Sequence, residues 1–165
     1  MKGIHNVVSA AVAIVALIIA APSQAQETKQ RPAQHAKKIV ADKKMHHLIL
    51  QVNTNEPAMM NLALNNATNV AQYYKDLGEK VTIDIVTFGP GLHMVRDDTS
   101  PVKERIKAIA QSTPSISFKA CGNTRENMGR VESKEIPLVA EAKVVKSGVV
   151  RVMQLQESGW TYVKP

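Results

Sequence analysis

The stretch "SISFKACGNTRENMGR" at residues 115–130 decides the fold, because a strand passes directly into a helix within it. The alternation of Ile116, Phe118 and Ala120 with other residues predicts a buried strand, and the polar "GNTRENMGR" predicts a short helix. The only cysteine of the chain, Cys121, lies at this junction. In open α/β sheets, ligands gather outside the carboxyl ends of strands. The junction is therefore also the first candidate for a functional site.

The same strand–helix alternation extends in both directions along the chain. Strands are predicted in "HHLILQVN" (46–53), "KVTIDIVTFG" (80–89), "EAKVVKSG" (141–148) and "WTYVKP" (160–165). Helices are predicted within 56–78, from Ser100-Pro101 to Pro114, and in "VVRVMQLQESG" (149–159), whereas "GPGLHMV" (89–95) is predicted to be a loop leading into a short extended piece. Such alternation predicts an α/β layered domain with a parallel sheet and helices on both faces.

The first 25 residues have the features of a signal peptide. Lys2 is followed by the apolar run Val7–Ala21, and Ser23 and Ala25 supply the small residues at a cleavage site. The run is shorter than the roughly 20 apolar residues that a membrane span needs. We expect cleavage after Ala25, export to the periplasm and no membrane association of the mature protein.

A basic arm is predicted at residues 26–44, followed by the α/β domain at 45–165. The chain has a formal net charge of +7, and the segment "KQRPAQHAKKIVADKK" (29–44) carries much of the excess. Basic arms can bind nucleic acid or anionic lipid, but no nucleic-acid motif accompanies this one. We therefore interpret it as a solvated tail and expect no nucleic-acid partner.

A single cysteine in an exported chain cannot form an intramolecular disulfide. Cys121 is therefore free, joined to another molecule, or buried and inert. Gly122 permits a tight turn after it, and Asn123 is predicted to cap the following helix. The amides of that helix end, with the nearby charges of Arg125 and Lys119, favour the thiolate. The packing interpretation remains open at this point, because buried cysteine is common.

Two segments, "FKACGNT" (118–124) and "GVVRVMQLQESGWTYVKP" (148–165), resemble the DsrE/DsrF-like family of small sulfur-handling proteins. The resemblance extends over residues 46–165. It implies a parallel α/β fold, a homo-oligomer such as a trimer or hexamer, and a persulfide on Cys121 in the turn that ends at Thr124. The partners that it implies are sulfur donors and acceptor thiol proteins or small sulfur compounds, without a cofactor. The sulfur-relay members are cytoplasmic, whereas this chain is predicted to be exported.

An alternative is an oligomeric binding protein in which Cys121 is a metal ligand or a core residue. Cys121, His93 and Met94 together would suit copper, if the loop after the second strand approaches the cysteine. His46 and His47 are adjacent on a strand, so they should point to opposite faces. The sequence has no Ser-His-Asp order, phosphate-binding loop, CxxC pair or HExxH motif. We therefore favour a carrier over a turnover enzyme.

Overall fold

The computed structural model describes residues 44–165. The predicted signal peptide and residues 26–43 of the predicted arm lie outside the described residues. Within 44–165, no helix is both long enough and apolar enough to cross a bilayer.

Strands and helices alternate through the described chain, as the sequence predicts. The elements are β1 (Met45–Val52), α1 (Pro57–Asp76), β2 (Lys80–Thr87), a 3₁₀ helix (Gly89–Val95), α2 (Lys103–Ser112), β3 (Ile116–Cys121), α3 (Gly122–Glu132), β4 (Ala142–Val145), α4 (Gly148–Glu157) and β5 (Thr161–Val163).

The five strands form one parallel sheet in the order β4-β3-β2-β1-β5. The first three connections each move one strand along the sheet in the same direction, and the last one returns from β4 at one edge to β5 at the other. Because parallel crossovers are right-handed, this reversal places α4 on the face opposite to α1 and α2. The predicted α/β layered domain with helices on both faces is confirmed.

The two faces of the sheet have cores of very different size. The main core packs α1, α2 and the 3₁₀ helix against residues such as Leu50, Ile85 and Phe118. The second core, under α4, has only four buried residues: Ile49, Val86, Val152 and Leu155. The helix α4 is therefore held to the sheet by a small apolar contact.

The helix α1 agrees closely with its predicted pattern. Its buried residues are Met60, Ala63, Leu64, Ala67 and Ala71, at the three- and four-residue spacing of one helical face. Pro57 occupies the first turn, where no amide donor is needed, and Gly78 follows the helix with a φ of +68°.

The two adjacent histidines of β1 point to opposite faces of the sheet, as predicted. His46 stacks on Tyr74 with ring centroids 3.8 Å apart, and its Nε2 lies 2.6 Å from an oxygen of Glu79. His47 packs on the other face against Trp160, with centroids 4.7 Å apart. His46 and His47 therefore do not form a pair of ligands for one metal ion.

The segment 89–95 is a 3₁₀ helix, so its prediction as a loop and extended piece is wrong. Leu92, Met94 and Val95 are buried in the main core, and their burial draws the segment onto the sheet. Gly91 makes this close approach possible, because a Cβ there would lie 2.2 Å from the carbonyl oxygen of Val52.

A buried arginine follows the 3₁₀ helix. Arg96 is 1% exposed and donates to Asp98 at 2.8 and 2.9 Å and to Glu132 at 2.5 and 2.9 Å. Lys134 also reaches Asp98, at 3.0 Å. This ion cluster joins the end of α3 to the segment after the 3₁₀ helix.

Candidate functional site

Cys121 is the last residue of β3 and lies at the carboxyl edge of the sheet, opposite Val145 of β4. Strand alternation places its side chain on the α4 face, together with those of Ser117 and Lys119. The residue is 4% exposed. The predicted position of the cysteine at a strand end is therefore correct.

The helix α3 begins two residues earlier than the predicted cap requires. Its N-cap is Cys121, with extended backbone (φ −68°, ψ 116°), and no side chain caps the helix. The prediction of Asn123 as the cap is therefore wrong. Gly122 is closely surrounded, since a Cβ there would lie 3.2 Å from the carbonyl oxygen of Val145.

The N-terminal turns of α3 and α4 come together beside Cys121, where the N–H of Asn123 donates to the carbonyl of Lys146 at 3.2 Å. Burial raises the pKa of the Cys121 thiol, but donation from the Thr124 hydroxyl and from the backbone N–H groups of Gly148, Thr124 and Asn123 outweighs it, so the pKa is lowered. Thr124 and Asn123 lie in the first turn of α3, and Gly148 is the first residue of α4. The N-termini of α3 and α4 thus lie next to each other at this edge of the sheet, and both favour an anion at Cys121.

The hydroxyl of Thr124 links the carboxyl ends of β2 and β3. Its oxygen accepts a hydrogen bond from the N–H of Gly89 at 3.0 Å. Gly89 has a φ of +53°, a conformation that L side chains rarely adopt. The Gly89 contact does not use the hydroxyl proton of Thr124, which therefore remains available for donation to the sulfur.

The cationic residues that were predicted to support the thiolate have other partners. The ammonium of Lys119 lies 3.6 Å from a carboxylate oxygen of Asp84, which balances its charge. The guanidinium of Arg125 donates to Glu135 at 2.7 Å and to the carbonyl of Ile136 at 2.8 Å, in the loop after α3. Backbone amides and one hydroxyl, rather than the side chain of Arg125, stabilise the anion.

The candidate copper ligands are not brought together. Met94 is fully buried in the main core, whereas Cys121 faces α4. The Nδ1 atom of His93 lies 2.8 Å from the hydroxyl of Thr99. In residues 44–165, no three His, Cys, Asp or Glu side chains are grouped so that they could hold a metal ion. The copper hypothesis built on these three residues is wrong.

An open cleft of about 500 Å³ lies beside the carboxyl edge, next to Thr124 and Asn123. Its other lining residues are Asn55, Gly89, Pro90, His93, Asn127 and Met128. The lining contains no carboxylate, lysine or arginine. Thr124 lies between this cleft and the sulfur, because it lines the cleft and donates to Cys121.

Sequence reasoning missed Gly148 and the role of Thr124 as a donor. A signal for Gly148 does exist, because "KSG" follows a short strand and a Ser before a helix is a frequent N-cap. The hydroxyl of Ser147 does accept from the Val150 amide. The helix α4 starts beside Cys121 because β4 pairs with β3. The local sequence does not specify that pairing.

Replacing Thr124 by valine should slow the alkylation of Cys121 at neutral pH by about tenfold, because a hydrogen bond to an anion is lost. Asn123→Ala is the matched control, since the Asn123 side chain does not cap the helix and the substitution keeps the backbone N–H that donates to Lys146. Rates of iodoacetamide alkylation against pH measure both effects. Equal rates for Thr124→Val and the parent protein would show that the hydroxyl does not stabilise the thiolate.

Comparison with known proteins supplies a structural relative. No family model matches the sequence, and no curated protein matches it. A solved structure of a protein of unknown function from Methanobacterium thermoautotrophicum is similar, with 25% sequence identity and a TM-score of 0.61. The match covers 73% of this chain and 99% of that one. The α/β fold is therefore shared with a natural protein over that protein's whole length.

Proposed function

We propose that this protein is an exported, non-enzymatic sulfur carrier that holds sulfane sulfur as a persulfide on Cys121. The observation that supports this most directly is the position of the only thiol of the chain, at a strand end where the N-terminal turns of α3 and α4 come together. A cysteine that only fills space gains nothing from donors that favour its charged form. The resemblance of the Cys121–Thr124 turn to the DsrE/DsrF-like family points to the same chemistry.

The transfer needs only the thiolate and a sulfane donor of the type R–S–SH. The Cys121 sulfur attacks the outer sulfur of the donor, forming one S–S bond. The S–S bond of the donor breaks, and its inner sulfur leaves as the thiolate R–S⁻ with the bonding electron pair. The outer sulfur keeps its proton. An acceptor thiolate then attacks that outer sulfur, taking it away and regenerating the Cys121 thiolate, so no net oxidant or reductant is consumed.

The surroundings of the sulfur define what can react with it. Because Cys121 is 4% exposed, the donor must be a small sulfane compound or a protein persulfide on an extended segment. The same hydrogen-bond donors that favour the thiolate also favour a persulfide anion. The cleft beside Thr124 provides a polar, uncharged approach to this edge of the sheet. The proposal includes a periplasmic location and a homo-oligomer such as a trimer or hexamer, which light scattering distinguishes from a monomer.

Incubation of the purified protein with a polysulfide should add one sulfur atom to its intact mass. Prior alkylation should block the gain, and so should Cys121→Ser, a change of one atom in the side chain. Dithiothreitol should then remove the added sulfur. If the mass stays unchanged while the same preparation still alkylates in its folded state, the thiol is reactive but does not carry sulfur, and the proposed function is wrong.

A further inference from the structure

A buried carboxylate on the α4 face takes no part in the sulfur chemistry described above. Asp84, in the middle of β2, is 2% exposed. Its Oδ2 atom accepts from Arg151 of α4, with Nε at 3.2 Å and Nη2 at 2.8 Å. Its Oδ1 atom accepts from the hydroxyl of Ser117 at 2.5 Å and lies 3.6 Å from the ammonium of Lys119. The carboxylate thus joins β2, β3 and α4 at one point.

Two of the residues that contact Asp84 lie on the same face of β3 as Cys121. Ser117, Lys119 and Cys121 alternate along one face of β3, so they follow each other toward the carboxyl edge. Arg151 follows Gly148 by three residues, about one helical turn. The helix therefore contacts Asp84 through its first turn, and the residue two positions before that turn, Lys146, accepts from the Asn123 N–H beside Cys121 at 3.2 Å.

The apolar contacts of α4 with the sheet form a small cluster. Only Val152 and Leu155 of its side chains are buried, while Val149, Val150 and Met153 are about half exposed. Gly148 itself is tightly placed, since a Cβ there would lie 2.8 Å from the ring of Phe88. A buried carboxylate that loses its cation is strongly destabilised, so the pair resists separation.

We propose that Asp84 and Arg151 are positioning residues, whose ion pair fixes α4 on the sheet so that the first turn of α4 lies beside Cys121. The inference rests on the proposed function only in that the thiolate is the reactive form. It predicts that the reactivity of Cys121 depends on a side chain of α4 that is not among the groups donating to the sulfur.

The charged residues on the α4 side of the sheet allow a test that separates position from charge. From each element on this face they are Asp84 (β2), Lys119 (β3), Lys143 (β4), Lys146 (before α4) and Arg151 (α4). Lys143 lies beside Lys119 in register and is exposed. Lys143→Met therefore removes one positive charge from the same face without releasing α4.

Arg151→Met should slow iodoacetamide alkylation of Cys121 at neutral pH by about tenfold, because a donor to the anion is displaced. The rate–pH profile should move to higher pH. Arg151→Lys keeps the charge but loses the two-nitrogen contact, so an intermediate profile is expected. Lys143→Met should keep the parent profile.

Circular dichroism establishes that each variant is folded. A parent-like profile for Arg151→Met, or an equal slowing by Lys143→Met, overturns the proposal. If Arg151→Met does not fold, Arg151→Lys decides, because charge alone predicts a parent-like profile and positioning predicts a shifted one. Sulfur loading is measured separately: a shifted alkylation profile without sulfur gain leaves this inference standing and contradicts the proposed function.

Discussion

Gly91→Ala is expected to destabilise the protein by about 3 kcal/mol or more, because the new methyl group meets backbone that cannot move aside. A Cβ at Gly91 would lie 2.2 Å from the carbonyl oxygen of Val52, 2.5 Å from its carbonyl carbon and 2.8 Å from the Cα of Asn53. Relief requires the 3₁₀ helix to leave β1, which exposes Leu92 and Met94. Since domains unfold at a cost of about 5–15 kcal/mol, this is a large part of the total.

Urea denaturation of Gly91→Ala and the parent protein measures the loss. Gly78→Ala is the control, because nothing lies within 4 Å of a Cβ there and only the φ of +68° is unfavourable. It should cost about 1–2 kcal/mol. Equal losses at the two positions would contradict the close approach of the 3₁₀ helix to β1. If Gly91→Ala remains folded, its Cys121 should alkylate more slowly, since the displaced segment begins at Gly89, the donor to Thr124.

Arg96→Met is the second substitution with a large expected effect. It removes the buried guanidinium but keeps most of the apolar stem, leaving Asp98 and Glu132 without their main partner. Breaking a buried ion pair costs about 3–5 kcal/mol, and both carboxylates are partly exposed, so we expect about 2 kcal/mol. Lys103→Met is the control, because that ammonium pairs with Asp97 at the surface. A loss from Arg96→Met no larger than that of the control would contradict a structural role for the buried pair.

The same substitution should change the dependence of stability on acid. Hydrogen bonding to Arg96 lowers the pKa of Asp98, and it lowers the pKa of Glu132 to about 2. Carboxylates with lowered pKa values stabilise the fold fully above their unfolded values of about 4 and lose that effect as the pH falls. The parent protein should therefore lose stability from about pH 4 toward pH 2, and Arg96→Met should lose less over this range. Parallel curves of unfolding free energy against pH would contradict the assignment.

Periodicity was sufficient to predict the sheet and its helices. Val81, Ile83 and Ile85 alternate with residues that are polar or face the other side of the sheet. The observed strand β2 contains all three, as this pattern predicts. The apolar face from Met60 to Ala71 likewise predicts α1. These patterns are local, because each records which side of one element meets the core. The strand-end position of Cys121 follows from the same reasoning.

The parts that sequence reasoning missed depend on contacts between distant residues. The surroundings of Gly122, where α3 starts, depend on the backbone of Val145 in β4. The place of Gly148 near Cys121 depends on the position of α4. The charged residues around Arg96 are typical of an exposed segment. Its side chain is nevertheless buried, because it pairs with Glu132 of α3. Neither the periodicity nor the spacing of residues in the sequence indicates which of these distant residues meet.

The most direct test of a stabilised thiolate at Cys121 is its alkylation rate against pH, measured in the folded protein and again in urea. Donation from Thr124, Gly148 and Asn123 lowers the thiol pKa in the fold and is lost on unfolding. We expect the folded protein to react and to titrate at lower pH than the unfolded one. A thiol that reacts only after unfolding would show that Cys121 is a packing residue and would contradict the sulfur-carrier proposal.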